Sequence, residues 1–567
     1  MTPKADTLLE EMYKKKTPGV YTCTETGVLF DITQEMFDMY KRRGVPVPTV
    51  APHVRLRRMR AHMGGIELFE NKSMRNEPII SMYDPESAAL LIEESQLHDD
   101  ATDTMTYGRD VDPAVSFFSQ WKSFSSVVPR PALVSDPNSE NCRWSLYDME
   151  FKNCYGTFGG VRCTQLLYGD MCIDTSNAVD LAFMVQTEWS YECVQGFQCS
   201  QTFFSDFCVS CRDVFFSFGC KNCSDCFACV NLEQKQYCIL NVQYTKEEYE
   251  KKIAQFDLSN SDVVSRLIRE SKVFWKKGVY ATEMNFNSER VVGDDIIDSV
   301  DTSGVSTFGT ERLYNSFDTA FVKDSCDMTT CANVEASVNS VLCTDGYANK
   351  MSIACNECMN VEYSELCFSC ENCFGCIGLK RKKFCIFNTQ YTEEAYWKKL
   401  DEIKVAMMQR GEYGEFFPYA TSLLAYNTSH ADVFFPLTRD EVQQLGGRWY
   451  TFPVIEKNLD TVPKSLHDVD ESMLAETFLC QETGRPYRIV KPELEFHKKF
   501  GIALPTTHPS IRRKKRYARM HGIELKRQQC FRCQKYIVSR IHASKEINIA
   551  CADCYSHILL GGEVLLT

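Results

Sequence analysis

Histidine is scarce in this sequence: ten occur in 567 residues, and none lies between residues 99 and 429. A Cys-His nucleophilic pair is thereby excluded from the middle of the chain unless an end segment reaches over it. No apolar run approaches the roughly eighteen residues that a membrane-spanning helix needs. The opening MTPKADTLLEEMYKKK has no apolar stretch of the kind a secretory signal carries, so a soluble cytoplasmic protein with no membrane partner is expected. There is no GxxxxGK[ST], GxGxxG or HExxH, which removes the usual signatures of nucleotide hydrolysis, dinucleotide binding and zinc proteolysis. No catalytic residue is nominated, and whether the chain is an enzyme stays open. Positive charge is also in deficit, with 63 Lys and Arg against 76 Asp and Glu and a net charge of -13. A polyanion-binding surface can therefore only be a local patch.

What is present is cysteine, and a duplication. Residues 23 to 68 align with 480 to 525 at a constant offset of 457, with 17 identities in 46 positions; unrelated sequence would give roughly three. Cys23-x-Glu25-Thr26-Gly27 matches Cys480-x-Glu482-Thr483-Gly484, and Gly44, Pro52 and Arg55 match Gly501, Pro509 and Arg512. Each copy predicts a short helix ending at the glycine, an extended crossing forced by prolines, and a second, basic helix. The copies then diverge. The C-terminal one continues through Cys530-x-x-Cys533 and, after seventeen residues, Cys551-x-x-Cys554. That spacing lets two tight turns present four thiolates tetrahedrally to zinc. At the same offset the N-terminal copy has Ser73, Asn76, Glu94 and Leu97, so one zinc site is expected and its closed shell reads as structural. Cys23 and Cys480, each before Glu-Thr-Gly with no second cysteine nearby, are expected as small buried core thiols.

Between Cys142 and Cys385 lie 23 cysteines, of which 22 share one remainder on division by three, Cys326 being the exception. A helix alternates steps of three and four, and a strand steps by two, so a run of threes suggests short extended segments turning around a narrow core. The blocks repeat at an offset of 147: Cys220-x-x-Cys223-x-x-Cys226-Phe227-x-Cys229 returns as Cys367-x-x-Cys370-x-x-Cys373-Phe374-x-Cys376. Each block leads into a helix that could cover its last edge, with Thr245 and Glu248 forming a capping box in the first. The expected fold is mainly β, a cysteine-rich β-solenoid in two blocks with capping helices, flanked by duplicated treble-clef-like or zinc-ribbon-like α+β modules. Its domains would be a degenerate module at 1–98, a connector at 99–137, block one at 138–244, capping helices at 245–287, block two at 288–391, a helix and aromatic-rich segment at 392–470, and the zinc module at 471–567. Thiol ladders are favoured for the core over additional zinc, iron-sulfur clusters or redox pairs, because metal needs only isolated sets of four.

Just before the zinc ligands, residues 498 to 527 carry ten cations against one acid, Glu524. Arg512, Arg513, Lys514, Lys515, Arg516 and Arg519 are candidate phosphate contacts, for RNA or DNA. A basic helix of this kind can equally bind an acidic surface of the same chain, bind a protein partner, or face solvent.

Several stretches together, Tyr107-Gly-Arg109-Asp110, Pro129-Arg130-Pro131-Ala132-Leu133, Gly414-Glu-Phe-Phe-Pro418-Tyr, the cysteine-block endings and the duplicated Glu-Thr-Gly module, resemble a cysteine-rich family of predicted proteins from uncultured small-genome bacteria. The resemblance spans most of the chain. It implies no established activity; some members carry a CoA-transferase label, which implies a different, globular fold and which none of these residues supports. The preferred reading is a non-enzymatic scaffold or binding protein whose zinc-bearing end recognises nucleic acid or a nucleic-acid-associated partner. The alternative is an enzyme with a pocket between an end module and the solenoid, using Cys480 or a histidine such as His508.

Overall fold

The computed structural model describes residues 2–65, 67–99, 102–134, 145–146, 204–282, 357–453, 460–520, 526–541 and 547–561, four single residues between 167 and 194, and the backbone of five strands between 292 and 343. The chain forms two compact units, Met1–Leu133 with Met284–Tyr450 and Val134–Glu283 with Thr451–Thr567. Each unit thus pairs one end of the chain with a cysteine-rich stretch from the opposite half.

In both units the duplicated module begins with a hairpin, Gly19–Thr22 with Leu29–Ile32 in one and Phe478–Leu479 with Pro486–Tyr487 in the other. A helix follows, Gln34–Arg43 or Lys491–Phe500, and stops where Gly44 (φ 63°) or Gly501 (φ 62°) turns left-handed, a conformation glycine adopts without steric cost. The basic helices are Pro52–Arg60 and Pro509–Arg519, each with proline in its first turn, where no amide hydrogen is needed.

The cysteine-rich stretches turn at nearly every third residue. Phe207, Ser210, Asp213, Phe216, Asn222, Asp225 and Ala228 all have φ near +50°, and Asn360, Tyr363, Leu366, Ser369 and Asn372 repeat the pattern. Left-handed geometry costs a residue with a Cβ roughly 1–2 kcal/mol, so the steps persist only because the enclosed core over-determines them. Each left-handed residue is followed by an inward one, and four consecutive inward steps bring the chain back beside itself. Arg212–Phe215, Ser224–Phe227 and Gln236–Ile239 pair in parallel with partners twelve residues apart, as Arg212 with Ser224 and Ser224 with Gln236. Met359–Glu362, Glu371–Phe374 and Lys383–Ile386 do the same. Cys226 therefore lies opposite Cys238, and Cys373 opposite Cys385.

These ladders do not make the chain mainly β, and the expected solenoid is corrected here. About 35% of the structure is helical and 22% strand, and among the described residues the sheets are small, none closed and none a solenoid sheet. The reason is local. A backbone that turns at every third residue keeps strand geometry for only four residues at a time, whereas helices supply more of the packing. Lys246–Ile253 starts on the reciprocal Thr245–Glu248 box, with Glu248 N–H donating to Thr245 Oγ1 at 3.3 Å and Thr245 N–H to the Glu248 carboxylate at 3.0 Å. The chain beyond it lays Phe256 flat on Phe227 at 4.9 Å. Glu393–Gln409 buries Tyr396, Leu400 and Ile403, the three positions its spacing selects.

All thirteen described central cysteines are buried and none is in a disulfide. Cys142, Cys154, Cys163, Cys172, Cys193, Cys199, Cys326 and Cys355 lie outside the described residues, and Cys331 and Cys343 are described in backbone only. The thiols add a second bond to carbonyls of the next coil: Cys211 donates to Cys220 O at 3.3 Å, Cys223 to Leu232 O at 3.3 Å, Cys370 to Leu379 O at 3.4 Å and Cys376 to Cys385 O at 3.4 Å. Contact with neighbouring thiols, then burial, holds Cys208 and Cys220 well above the ordinary thiol range. Those two are neutral donors in the buried core, Cys208 to Asp206 O and Cys220 to Phe218 O. Replacing Cys373 by leucine should then overpack the step and destabilise by about 1–3 kcal/mol, more than Cys373→Ala, measured as urea midpoints. A leucine variant as stable as the parent would refute close thiol packing.

Candidate metal centre

Four sulfurs converge near the C-terminus, and two elements place them. The hairpin Lys526–Gln529 with Tyr536–Ser539 carries Cys530 and Cys533 in its turn, which closes through Cys530 N–H to Lys535 O at 2.9 Å and Gln534 N–H to Cys530 O at 3.0 Å. Gln534 takes φ 60° to allow it. Strand Asn548–Ala550, parallel to Val279–Ala281, delivers Cys551 at the entrance of helix Ala552–Gly561, whose first turn carries Cys554. Val279, Ile537, Ile541, Ile549 and Ile558 form the apolar floor. Tyr555 ties the helix to the neighbouring cysteine block, its hydroxyl donating to Gly219 O at 3.4 Å and accepting from Asn231 Nδ2 at 3.3 Å.

The sulfurs of Cys530, Cys533, Cys551 and Cys554 lie within 4.8 Å of one another. Cys533 and Cys551 are 3.7 Å apart, against the spacing of about 3.8 Å that tetrahedral Zn–S bonds of about 2.3 Å impose. The set can hold a metal ion. Burial raises the Cys530 thiol, but backbone N–H groups of Cys533, Cys551 and Arg532 outweigh it and bring the thiol down to about 6. Cys554 is instead pushed up to about 12 by desolvation and by its three thiol neighbours. Four thiols this close ionise together only against a cation, which is the electrostatic case for a bound ion.

At the matching place in the N-terminal copy, hairpin Phe69–Lys72 with Pro78–Ser81 has a turn one residue shorter. Met74 N–H donates to Leu91 O at 2.8 Å, as Phe531 N–H donates to Ile549 O at 2.9 Å. The structural counterparts of Cys551 and Cys554 are therefore Glu93 and Gln96, one residue before the Glu94 and Leu97 of the gapless alignment. Polar side chains there do the work of an ion: Ser73 Oγ accepts from the N–H groups of Arg75 and Glu77 at 3.2 and 3.3 Å, and Glu93 N–H donates to Gln96 Oε1 at 3.0 Å.

The six candidate phosphate contacts divide. Arg512, Arg513 and Arg516 are buried, Arg512 pairing with buried Glu493 at 2.9 Å and Arg513 lying over Tyr517 at 5.9 Å. Arg519 faces Asp206 at 3.5 Å, and Lys515 pairs with Glu482. Lys514 is half-buried and Lys515 exposed. The N-terminal helix is engaged the same way. Arg57 and Arg58 both reach Glu25, at 2.5 and 2.8 Å, and Arg60 stacks over Phe434 at 3.8 Å. Glu25 and Glu482 were missed in the sequence, although both occupy the same place in Cys-x-Glu-Thr-Gly and face the same helix.

Cys480 is 2% exposed. The backbone N–H of His508 helps hold its thiol below the ordinary range, while the imidazole Nδ1 of His508 accepts from Ser510 N–H at 3.2 Å. This is no nucleophile-and-base pair, so the enzyme reading gains nothing from it. Among the described residues no helix is long and apolar enough to cross a membrane. No family model matches this chain, no curated protein matches it and no solved structure matches it.

Two outcomes are expected from this geometry. Cys551→Ser, or a strong chelator, should remove the bound metal and melt the Cys530–Cys554 fold, because ligation and folding are coupled there; circular dichroism and metal analysis follow both, and an unchanged melting profile would count against the site. The second concerns His497, which is fully buried, its Nδ1 donating to Ile502 O at 3.1 Å. Burial, with Arg512 adding to it, holds its pKa down near about 3, against about 6.5 when unfolded. The unfolded chain therefore takes up a proton between those limits that the folded chain refuses, so stability is full above pH about 6.5 and falls as pH drops toward about 3. His497→Gln should flatten that decline in denaturation curves collected at a series of pH values.

Proposed function

We propose that this protein is a non-enzymatic scaffold or binding protein in which one structural zinc orders a basic end module that engages nucleic acid or a nucleic-acid-associated partner. What carries the reading is the four-sulfur cluster on a cationic hairpin. Four thiolates fill the tetrahedral shell of zinc and leave no position for water or substrate, so the ion acts as a staple. Cytoplasm suits so many free thiols, since a reducing compartment keeps them reduced. The same hairpin that carries Cys530 and Cys533 exposes Lys526, Arg527, Arg532 and Lys535. It also exposes Tyr536, with Arg527 over its ring at 4.7 Å. Cations beside an exposed ring suit a single strand, whose phosphates meet the charges and whose bases stack. The buried arginines of Pro509–Arg519 then hold this surface in place, and the contact moves from the helix to the hairpin.

Fluorescence anisotropy with mixed-sequence single-stranded RNA and DNA tests it. Four phosphate contacts on a single strand imply a fall in affinity of roughly 50-fold between 50 and 200 mM salt. Joint replacement of Lys526, Arg527, Arg532 and Lys535 by alanine should abolish binding while one zinc per chain is retained. Absence of binding at low salt by the zinc-loaded protein would overturn the proposal.

A further inference from the structure

The backbone closes on a sulfur in the same way at three places. Backbone N–H groups of Arg532, Cys533 and Cys551 draw the Cys530 thiol down, that of Cys551 through a hydrogen bond of 3.4 Å. Those of Glu482, Thr483 and His508 act likewise on Cys480, and those of Glu25, Thr26 and Ala51 on Cys23. The donors are always two and three residues on, plus the residue that immediately precedes a helix: Ala552–Gly561, Pro509–Arg519 or Pro52–Arg60. The turns agree as well. Cys530, Cys480 and Cys23 each donate to the carbonyl five residues on, at 2.9, 2.8 and 2.8 Å, and each accepts from the N–H four residues on, at 3.0, 2.9 and 2.8 Å. That fourth residue is left-handed in all three: Gln534 at φ 60°, Gly484 at 66° and Gly27 at 72°. The following residue bonds the segment before the helix each time, Phe531 to Ile549 O, Gln481 to Thr506 O and Thr24 to Thr49 O, at 2.9, 3.1 and 3.0 Å. The Ser73 turn shares that last bond and a left-handed residue, Asn76 at φ 64°.

We infer that the chain contains four copies of one knuckle-and-helix unit, two at each end, and that the Cys480 and Cys23 units are metal corners from which three of four ligands have been exchanged. In the Cys480 unit, Thr483, His508 and Ile511 stand where the Cys530 unit has Cys533, Cys551 and Cys554. In the Cys23 unit the same places are taken by Thr26, Ala51 and Val54. One sulfur alone holds no ion, and the natural units close without one. The threonine hydroxyl at the second ligand position helps hold the remaining thiol below its ordinary range in both, Thr483 beside Cys480 and Thr26 beside Cys23. The class of ligand the scaffold is shaped for is a divalent cation that takes tetrahedral thiolate, as zinc or cobalt does.

Restoring the ligands tests this independently of any nucleic-acid role. The full chain carrying Thr483→Cys, His508→Cys and Ile511→Cys is purified under reducing conditions, and its zinc content is compared with the parent. The expected change is from about one ion to about two, with a doubling of the tetrahedral cobalt–thiolate absorption on cobalt replacement. Thr26→Cys, Ala51→Cys and Val54→Cys should do the same in the other end module, whose fold does not depend on the existing site. A gain in either variant supports the inference. It is overturned if both variants keep a single ion, and equally if both lose their fold, because backbones already shaped as metal corners must accept the thiols.

Discussion

Sharp turns leave backbone amides and carbonyls facing inward, and each must find a partner before it can be buried. In this protein the ladders supply the first partner, Lys221 N–H to Leu232 O at 2.8 Å and Phe368 N–H to Leu379 O at 2.9 Å, and sulfur adds a further bond in either direction. In the cysteine-rich stretches the thiol is a donor to the same carbonyls. In the metal knuckle it is an acceptor, Cys530 taking the Cys551 N–H at 3.4 Å. An oxygen of similar reach would be more strongly solvated when unfolded, and its burial would cost more. A thiol is small, weakly hydrated and able to act in either role. The left-handed steps and the metal corner are two uses of that one property.

Charge is handled by a comparable economy. The module has a basic helix that no apolar core would accept unaided. Glu25 takes Arg57 and Arg58 in one copy, Glu482 takes Lys515 in the other, and Glu493 takes Arg512 in the buried layer beneath. Breaking a buried pair by removing one partner commonly costs about 3–5 kcal/mol, because it strands a charge. Helix and knuckle are consequently bound to each other through Glu25 in the N-terminal copy, whereas the Glu482–Lys515 pair is exposed and contributes little, and the module keeps its shape in the copy that has no metal ligands beyond Cys23. The Cys530 hairpin adds exposed cations at Lys526, Arg527, Arg532 and Lys535.

Much of this was legible in residue order, and the remainder was hidden for identifiable reasons. Zinc-ligand spacing is local, so Cys530 to Cys554 could be read directly, as could the helix ends at Gly44 and Gly501 and the box at Thr245. The period of three correctly announced repeated turning with small residues inside. It did not announce how short each ladder would be, because strand length depends on where left-handed residues fall, and here they fall on Phe, Asp and Asn as readily as on Gly. Helical content was underestimated for that reason. The burial of Arg513 and Arg516 was invisible because a basic helix facing phosphate and one facing its own chain have the same composition. Glu493, which pairs with Arg512 on the same helix, was the available clue, but it lies on the preceding helix and was easily passed over.

The comparison between the paired turns says what the ion contributes. Hairpin, left-handed residue and cross-bond to the next strand all form in the Ser73 turn, where a hydroxyl and a glutamine amide satisfy the exposed amides. Hydrogen bonding therefore suffices to shape the turn. What hydroxyl and amide cannot do is join the turn to the helix through bonds that resist bending, and the two N-terminal knuckles instead rest on the packed core of their unit. The turns do not differ in exposure: Met74, Arg75 and Asn76 are as open to solvent as Cys533, Gln534 and Tyr536. A bound ion would therefore add at the Cys530 turn what the Ser73 turn lacks, a tie between turn and helix through four sulfurs within 4.8 Å of one another.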